Sequence, residues 1–248
     1  MLAIIGGTGL TKLANLEMSH HKVIRTPYGE PSGALTLGKI SGCDVIFLAR
    51  HGYGHTIPPH QVNYRANIWA LHEQHVTQVV SVASVGGIRS DLTPGTIAIP
   101  DQIIDYTHGR KSTFFDGPEK PVTHIDFTWP YCEELRQRLI KAAENAKQKA
   151  VAGGVYGATQ GPRLESAAEI SRLERDGADM VGMTGMPEAA LARELGLCYA
   201  TIAVVANYAA GKGSSTREIN FENLQAAMQK YLDRVKTILE KLVEYDGG

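Results

Sequence analysis

Short runs built mostly from Val, Ile and Ala limit the folds open to this chain. They lie at residues 2–5, 35–39, 44–49, 78–84, 96–99, 180–183 and 199–206. Several are apolar at consecutive positions, without the alternation of a strand that has one wet face. Such strands are covered on both sides. Segments of helical period lie between some of them. Residues 61–75 set Val62, Ala66, Trp69 and Ala70 on one side. Residues 130–147 open with Pro130 in the first turn and carry Leu135, Leu139, Ala142 and Ala143. A short helix starts at Met186-Pro187-Glu188 and ends at Gly196, and residues 221–244 carry a stripe of Phe221, Leu224, Met228, Tyr231, Leu232, Val235, Leu239 and Leu242. Strands alternating with helices predict an α/β fold: a central, mixed, largely parallel twisted sheet flanked by helices. No linker, repeat or low-complexity tract divides residues 1–248, so one domain is expected. The least regular stretch, 106–126, is too long for a simple connection and reads as a lid, an interface loop or disorder.

Composition narrows the class. The formal net charge is −1 and no run of Lys and Arg occurs, which argues against nucleic acid as a partner. Cys43, Cys132 and Cys198 are odd in number, far apart and outside any metal spacing. Cys43 and Cys198 sit beside strand-like runs, where reduced, buried thiols are expected. His51, His55 and His60 are spaced too irregularly for a helical metal site and have no acidic neighbours, so no metal is expected. The first residues lack a basic leader, and no apolar stretch approaches the ~20 residues of a membrane span. A cytoplasmic enzyme is the expected class.

Ligands of open α/β sheets collect at the carboxyl ends of strands, and polar clusters occupy several of those ends here. Gly6-Gly7-Thr8-Gly9 follows the first run, where glycines let backbone N–H groups approach an anion and Thr8 adds a hydroxyl. A tight strand-to-loop turn explains the same residues equally well; the third glycine of a dinucleotide fingerprint and the Gly-Lys-Ser/Thr of a P-loop are absent. Arg50-His51-Gly52 ends the third run, as a phosphate clamp or as a surface salt bridge beside a hydrogen-bonded histidine. Ala83-Ser84-Val85-Gly86-Gly87 and Met183-Thr184-Gly185 end two more, the second just before a helix N-terminus. Together the loops suit an anion the size of orthophosphate. The run 199–206 leads into Asn207, whose amide offers an acceptor and donors side by side.

These residues resemble a known family. Gly6-Gly7-Thr8-Gly9, the block Leu48-Ala49-Arg50-His51-Gly52 with His55-Thr56, the stretch from Val62-Asn63-Tyr64-Arg65 to Leu71, Gly161-Pro162-Arg163, and Met183-Thr184 with Pro187-Glu188 are similar to the methylthioadenosine phosphorylase branch of the trimeric purine nucleoside phosphorylases. The resemblance covers about residues 2–210. It implies phosphorolysis without a cofactor: orthophosphate, a co-substrate, attacks the anomeric carbon of a nucleoside and the purine leaves. It places phosphate on Thr8, Arg50, His51, Ala83, Ser84 and Thr184, Met183 under the ribose, and catalysis on Asn207, Arg50 and Thr8. It implies a homotrimer whose active sites lie near subunit interfaces, with His124 lent by a neighbour near the 5′ end of the sugar. That makes 106–126 an interface element. Where this branch has Thr, Ala83 stands, with Ser84 beside it.

The base site departs from the branch. Two Asp residues are usual where Asn207 and Ala209 flank Tyr208, and Leu164 stands where Phe commonly stacks on the base, followed by Glu165. Enzymes of the wider family that take 6-oxopurines carry Asn at the first position. An amide accepts from a protonated N7 and donates to O6. An adenine amino group would face amide donors, a mismatch of roughly 1–3 kcal/mol per unpaired group. A methylthio-type scaffold with an oxopurine selector is therefore expected to cleave S-methyl-5′-thioinosine. A methylthioadenosine phosphorylase, a general inosine/guanosine phosphorylase and a non-catalytic nucleoside sensor are the rivals.

Overall fold

The computed structural model describes every residue except 8–9, 11–16, 119, 220 and 247–248. At 18–19, 221–226 and 245–246 it describes the backbone alone, so Phe221 and Leu224 of the expected stripe lie outside the described side chains. Its strands are β1 (Leu2–Gly6), β2 (Glu17–Lys22), β3 (Leu35–Ile40), β4 (Cys43–Ala49), β5 (Gln78–Gly87), β6 (Ile97–Ile99), β7 (Gln102–Asp105), β8 (Ala150–Ala152), β9 (Val155–Ala158), β10 (Met180–Gly182) and β11 (Cys198–Tyr208). Its helices are α1 (Tyr64–Glu73), α2 (Glu133–Asn145), α3 (Ala167–Arg175), α4 (Gly185–Glu194) and α5 (Phe221–Asp246). One 11-stranded sheet runs in the order β2-β3-β4-β1-β5-β10-β9-β7, and β11 branches from β5 to carry β6 and then β8.

The expected mixed sheet is present. β1 pairs in parallel with β4 and β5, and β5 in parallel with β11. β3–β4, β5–β10 and β6–β11 are antiparallel. Alternate residues of a strand face opposite sides, and both sides of β1 are buried. Ala3 and Ile5 pack with Ile68 and Leu71 of α1 and Leu191 of α4. Leu2 and Ile4 pack with Leu135 and Leu139 of α2 and Val235 and Leu239 of α5. Helices thus cover both faces, which is why the runs read as unbroken apolar sequence rather than as alternation.

Several elements lack an apolar signature and were not expected. β2 is a polar edge strand, β7, β8 and β9 have three or four residues each, and α3 buries only Ile170 and Leu173. α3 had a legible start, since Ser166 and Glu169 form a capping box.

The expectation of a reduced thiol is overturned for Cys198. Cys132 and Cys198 form a disulfide across 66 residues, joining the residue before α2 to the first residue of β11. The Cys132 N–H donates to Tyr199 O at 2.8 Å, so the sheet brings the two cysteines together although the sequence separates them. Cys43 is free and half-buried.

A cross-link closing a loop of that length is worth about 4 kcal/mol in the chain-entropy model. Thiol titration of the denatured, unreduced protein is expected to find one thiol per chain, and Cys132→Ser with Cys198→Ser should lower Tm. Three titratable thiols would contradict the cross-link.

Candidate functional site

Because β1, β4, β5 and β11 run the same way, their carboxyl ends share one edge. β10 runs against the end of β5, with Val181 opposite Gly86, so its own carboxyl end meets the same place. A cavity of about 710 Å³ opens there. Arg50, His51, Ala83, Ser84, Met183, Thr184, Leu164, Asn207 and Ala209 all line it. These were singled out from the sequence on separate segments, and the fold brings them together. Thr8 lies outside the described residues. Gly6 and Gly7 of the same motif divide the work. A Cβ on Gly6 would lie 2.9 Å from Leu10 and Phe47, whereas Gly7 faces the cavity with the His51 ring 3.9 Å away. Gly6 is required by packing, and Gly7 leaves backbone open to a ligand.

Two expected residues are not brought in. Tyr208 does not line the cavity, although Ala206 and Asn207 before it and Ala209 and Ala210 after it do. Its ring packs over Gly213, where a Cβ would lie 2.6 Å from it. His124 is exposed on its loop and also absent from this chain's cavity wall.

Arg50 is 1% exposed, and its environment corrects the simple picture of a clamp. Its Nε and Nη2 donate to Glu188 Oε2 and Oε1 at 2.7 and 2.8 Å, Nη2 also to Ser81 Oγ at 2.7 Å, and Nη1 to Val82 O at 3.1 Å. The bidentate face of the guanidinium is therefore committed to Glu188. Among the described residues, only one Nη1 proton is left for a ligand. Burial alone would lower the Arg50 pKa, but the Glu188 carboxylate overrides it and holds the guanidinium above its ordinary value. Glu188, fully buried, also accepts from Tyr199 OH at 2.9 Å.

His51 donates from Nδ1 to Ile57 O at 2.8 Å. Burial, and then the Arg50 charge, push its pKa down to about 4. The imidazole is neutral at pH 7, so Nε2 is an acceptor. Ser84 is exposed into the cavity. Thr184 precedes α4 without using its hydroxyl as a cap, and its N–H donates to Tyr156 OH at 3.4 Å. Neutral donors therefore make up most of this end of the cavity.

At the other group of walls, Asn207 Nδ2 donates to Tyr208 O at 2.6 Å. That bond fixes the side chain and leaves Oδ1 and the second amide proton for a ligand. Glu165, noted in sequence only as a departure, also lines the cavity, and its Oε1 accepts from Thr159 Oγ1 at 2.6 Å. The segment after β11 approaches the start of α3, where a Cβ on Gly211 would lie 2.8 Å from Ala167. Leu10, Met228 and Leu232 form an apolar side, all members of one hydrophobic cluster, with Ile219 and Gln229 beside them.

Sequence reasoning missed Arg110, in the irregular stretch 106–126. Its guanidinium donates to Met183 O, Met186 O, Thr159 O, Gln160 O and Tyr64 OH at 2.6–3.2 Å. One side chain so ties the loop carrying Met183 and Thr184 to the loop leading to Glu165. The stretch is anchored further along, where the Thr113 hydroxyl and the Phe114 N–H donate to Glu194 at 2.6 and 2.7 Å. Among the described residues, no group of three His, Cys, Asp or Glu side chains is placed to hold a metal.

Two stability tests follow. Glu188→Ala strands a buried cation and should cost about 3–5 kcal/mol; Arg50→Met in that background should recover most of it. An additive double-variant loss would show that the two are not paired. His51 binds its proton more weakly folded than unfolded, so its contribution is complete above pH 6.5 and is lost as pH falls toward 4. The loss is roughly 2 kcal/mol, discounted for water in the cavity. In urea titrations His51→Asn, which keeps a donor for Ile57 O, should flatten that slope between pH 6.5 and 4; an unchanged slope would assign it to other groups.

The family model described as the phosphorylase superfamily matches residues 1–244. A probable S-methyl-5′-thioinosine phosphorylase of Pseudomonas syringae is 51% identical, over 97% of each chain. A 6-oxopurine nucleoside phosphorylase of Pyrococcus furiosus is 47% identical, over 96% of this chain and 90% of its own. Among solved structures, Schistosoma mansoni methylthioadenosine phosphorylase in complex with adenine superposes with a TM-score of 0.93 at 33% identity, over 99% of this chain and 91% of its own. The sheet, the cavity at its carboxyl edge and a family match over nearly the whole chain lead to one conclusion: this chain belongs to the phosphorylase superfamily.

Proposed function

We propose that the chain is a pentosyltransferase that cleaves S-methyl-5′-thioinosine with orthophosphate, giving hypoxanthine and 5-methylthioribose 1-phosphate. The observation that carries this reading is that Asn207 and Glu165 line one cavity together. Along its edge a 6-oxopurine presents N7, O6 and N1–H in that order. Asn207 accepts from protonated N7 and donates to O6, and the next group, a carboxylate, accepts from N1–H. Adenine reverses the last two: its 6-amino group would meet the amide donor, and its N1 lone pair would meet the carboxylate. Each mismatch leaves a buried group unpaired at about 1–3 kcal/mol.

The apolar side of Leu10, Met228 and Leu232 supports a methylthio rather than a hydroxyl group at the 5′ carbon, and the Pseudomonas relative carries that name. Gln229 on the same side favours the second reading, a general 6-oxopurine nucleoside phosphorylase, as the Pyrococcus relative is named.

In the reaction an oxygen of phosphate attacks C1′ as the C1′–N9 bond breaks. The bonding pair passes to the purine, and N7 takes a proton from solvent while Asn207 holds it. Nη1 of Arg50, the hydroxyls of Thr8, Ser84 and Thr184 and the backbone at Gly7 and Ala83 hold phosphate. His51 Nε2 accepts a hydrogen bond from the O–H of a hydrogen phosphate, Met183 supports the ribose and Leu164 the base. Holding both substrates in line removes much of the entropic barrier. The enzyme works as a cytoplasmic homotrimer without a cofactor, with His124 of one subunit reaching the sugar end of the next. A sensor without turnover would have no use for the phosphate groups.

A panel of methylthioinosine, methylthioadenosine, inosine and adenosine, each with and without phosphate, tests the proposal. Strict phosphate dependence is expected, with methylthioinosine ahead of the rest. Asn207→Asp should move preference toward the 6-amino nucleosides by at least tenfold. Equal turnover of methylthioinosine and methylthioadenosine by the unaltered enzyme would reject the base assignment.

A further inference from the structure

Glu165 sits on a loop, and a glutamate there has several torsions in which to turn away from a ligand. Its exposed neighbour Arg163 pairs with Glu169 at 2.8 Å. Among the described residues, the Glu165 carboxylate accepts a hydrogen bond from Thr159 Oγ1 at 2.6 Å. Thr159 is itself held on two sides. Its N–H donates to Gly182 O at 2.8 Å, and its carbonyl accepts from Arg110 Nη2 at 3.2 Å. The hydroxyl has a second neighbour, Gly182 O at 3.3 Å. It carries one proton, and the shorter, charge-assisted contact to the carboxylate takes it.

We propose that Thr159 is a specificity-determining positioning residue. By occupying one oxygen of Glu165 it fixes the carboxylate against the cavity, so that the other oxygen meets the N1–H edge of a 6-oxopurine. The proposal rests on the reading of Glu165 as the N1–H acceptor. Its chemical content is preorganisation: the acceptor is already turned to the base before the nucleoside arrives, and binding does not have to order it. Thr159 does not line the cavity, so its effect passes through Glu165. The contact with N1–H exists in ground and transition states alike, so its loss belongs in KM more than in kcat.

Thr159→Val keeps the shape and removes the hydroxyl. The expected result is a rise of about tenfold in KM for methylthioinosine, with kcat and the KM for phosphate nearly unchanged. Discrimination against methylthioadenosine should narrow by a similar factor, and Thr159→Ser should restore both. In a Glu165→Ala background, Thr159→Val should add nothing, because the two act as a unit. If Glu165→Ala loses discrimination while Thr159→Val stays within twofold of the unaltered enzyme, the role of Thr159 is overturned and the base assignment stands. If Glu165→Ala itself leaves discrimination intact, the base assignment falls. Equal losses for both nucleosides and for phosphate in Thr159→Val would mean a merely structural role and also overturn the proposal.

Discussion

Arg50 and Glu188 meet beneath the cavity, where solvent reaches neither, and the surrounding geometry depends on their pairing. Arg50 is the first residue past β4, and Glu188 lies in the first turn of α4. Their two hydrogen bonds therefore fasten the tip of a central strand to the helix that follows Thr184. Two charges out of water are costly unless each is paired and its remaining polar atoms are satisfied. Ser81, Val82 and Tyr199 supply that completion from β5 and β11. The arrangement spans four elements. It also has an electrostatic consequence: the charge of Arg50 is balanced from below, and the neighbouring His51 is neutral. On the proposed reaction, phosphate is bound largely by neutral donors, and its negative charge stays available until the sugar becomes cationic. An interaction that strengthens as the C1′–N9 bond breaks is the kind that raises a rate rather than only tightening binding.

That pairing also marks where the sequence stopped being legible. Arg50 at a strand tip could be read from its place after an apolar run, and so could the other residues that end strands. Its partner is 138 residues away, on a helix whose own signal was only a proline near its start. Nothing local in either segment marks a buried charge as paired. The disulfide was hidden in the same way, because Cys132 and Cys198 become neighbours only when α2 and β11 pack side by side. Long apolar strands and the stripe of α5 were readable since burial on both faces, or on one face of a helix, dictates every residue type. β2 and the short strands β8 and β9 take their place from neighbours, and tertiary pairing overrides weak local preference.

The stretch 106–126 was legible as irregular and not as anchored. Its length suggested a lid or an interface loop, yet Arg110 and Phe114 hold it to the body of the chain from two points. Arg110 reaches backbone carbonyls, which every residue possesses, so no sequence pattern could have named its acceptors. The outcome is a loop whose Arg110 side chain braces the segments that carry Met183 and Glu165, while His124 stays exposed further along. Such a division suits a segment that supports its own site and faces outward as well.

Asn207 alone would be a weak selector. An amide has both a donor and an acceptor, and turning it by half a rotation about its last torsion exchanges them. Two features remove that freedom. The bond from Nδ2 to Tyr208 O fixes which end is which, and Glu165 in the same cavity cannot exchange roles, because an ionised carboxylate only accepts. On the proposed reading a base must then satisfy a series of amide oxygen, amide N–H and carboxylate. Hypoxanthine with a proton on N7 fits all three, while adenine fails at both the second and third. Rejection by two unpaired buried groups multiplies, which is how a site gains discrimination that a pocket of matching shape cannot supply. The methylthioadenosine-type fold need not change to accommodate this. On that reading the carboxyl end of β11 and the loop before α3 carry the difference in base preference, and the strands that position them are held by packing in the core.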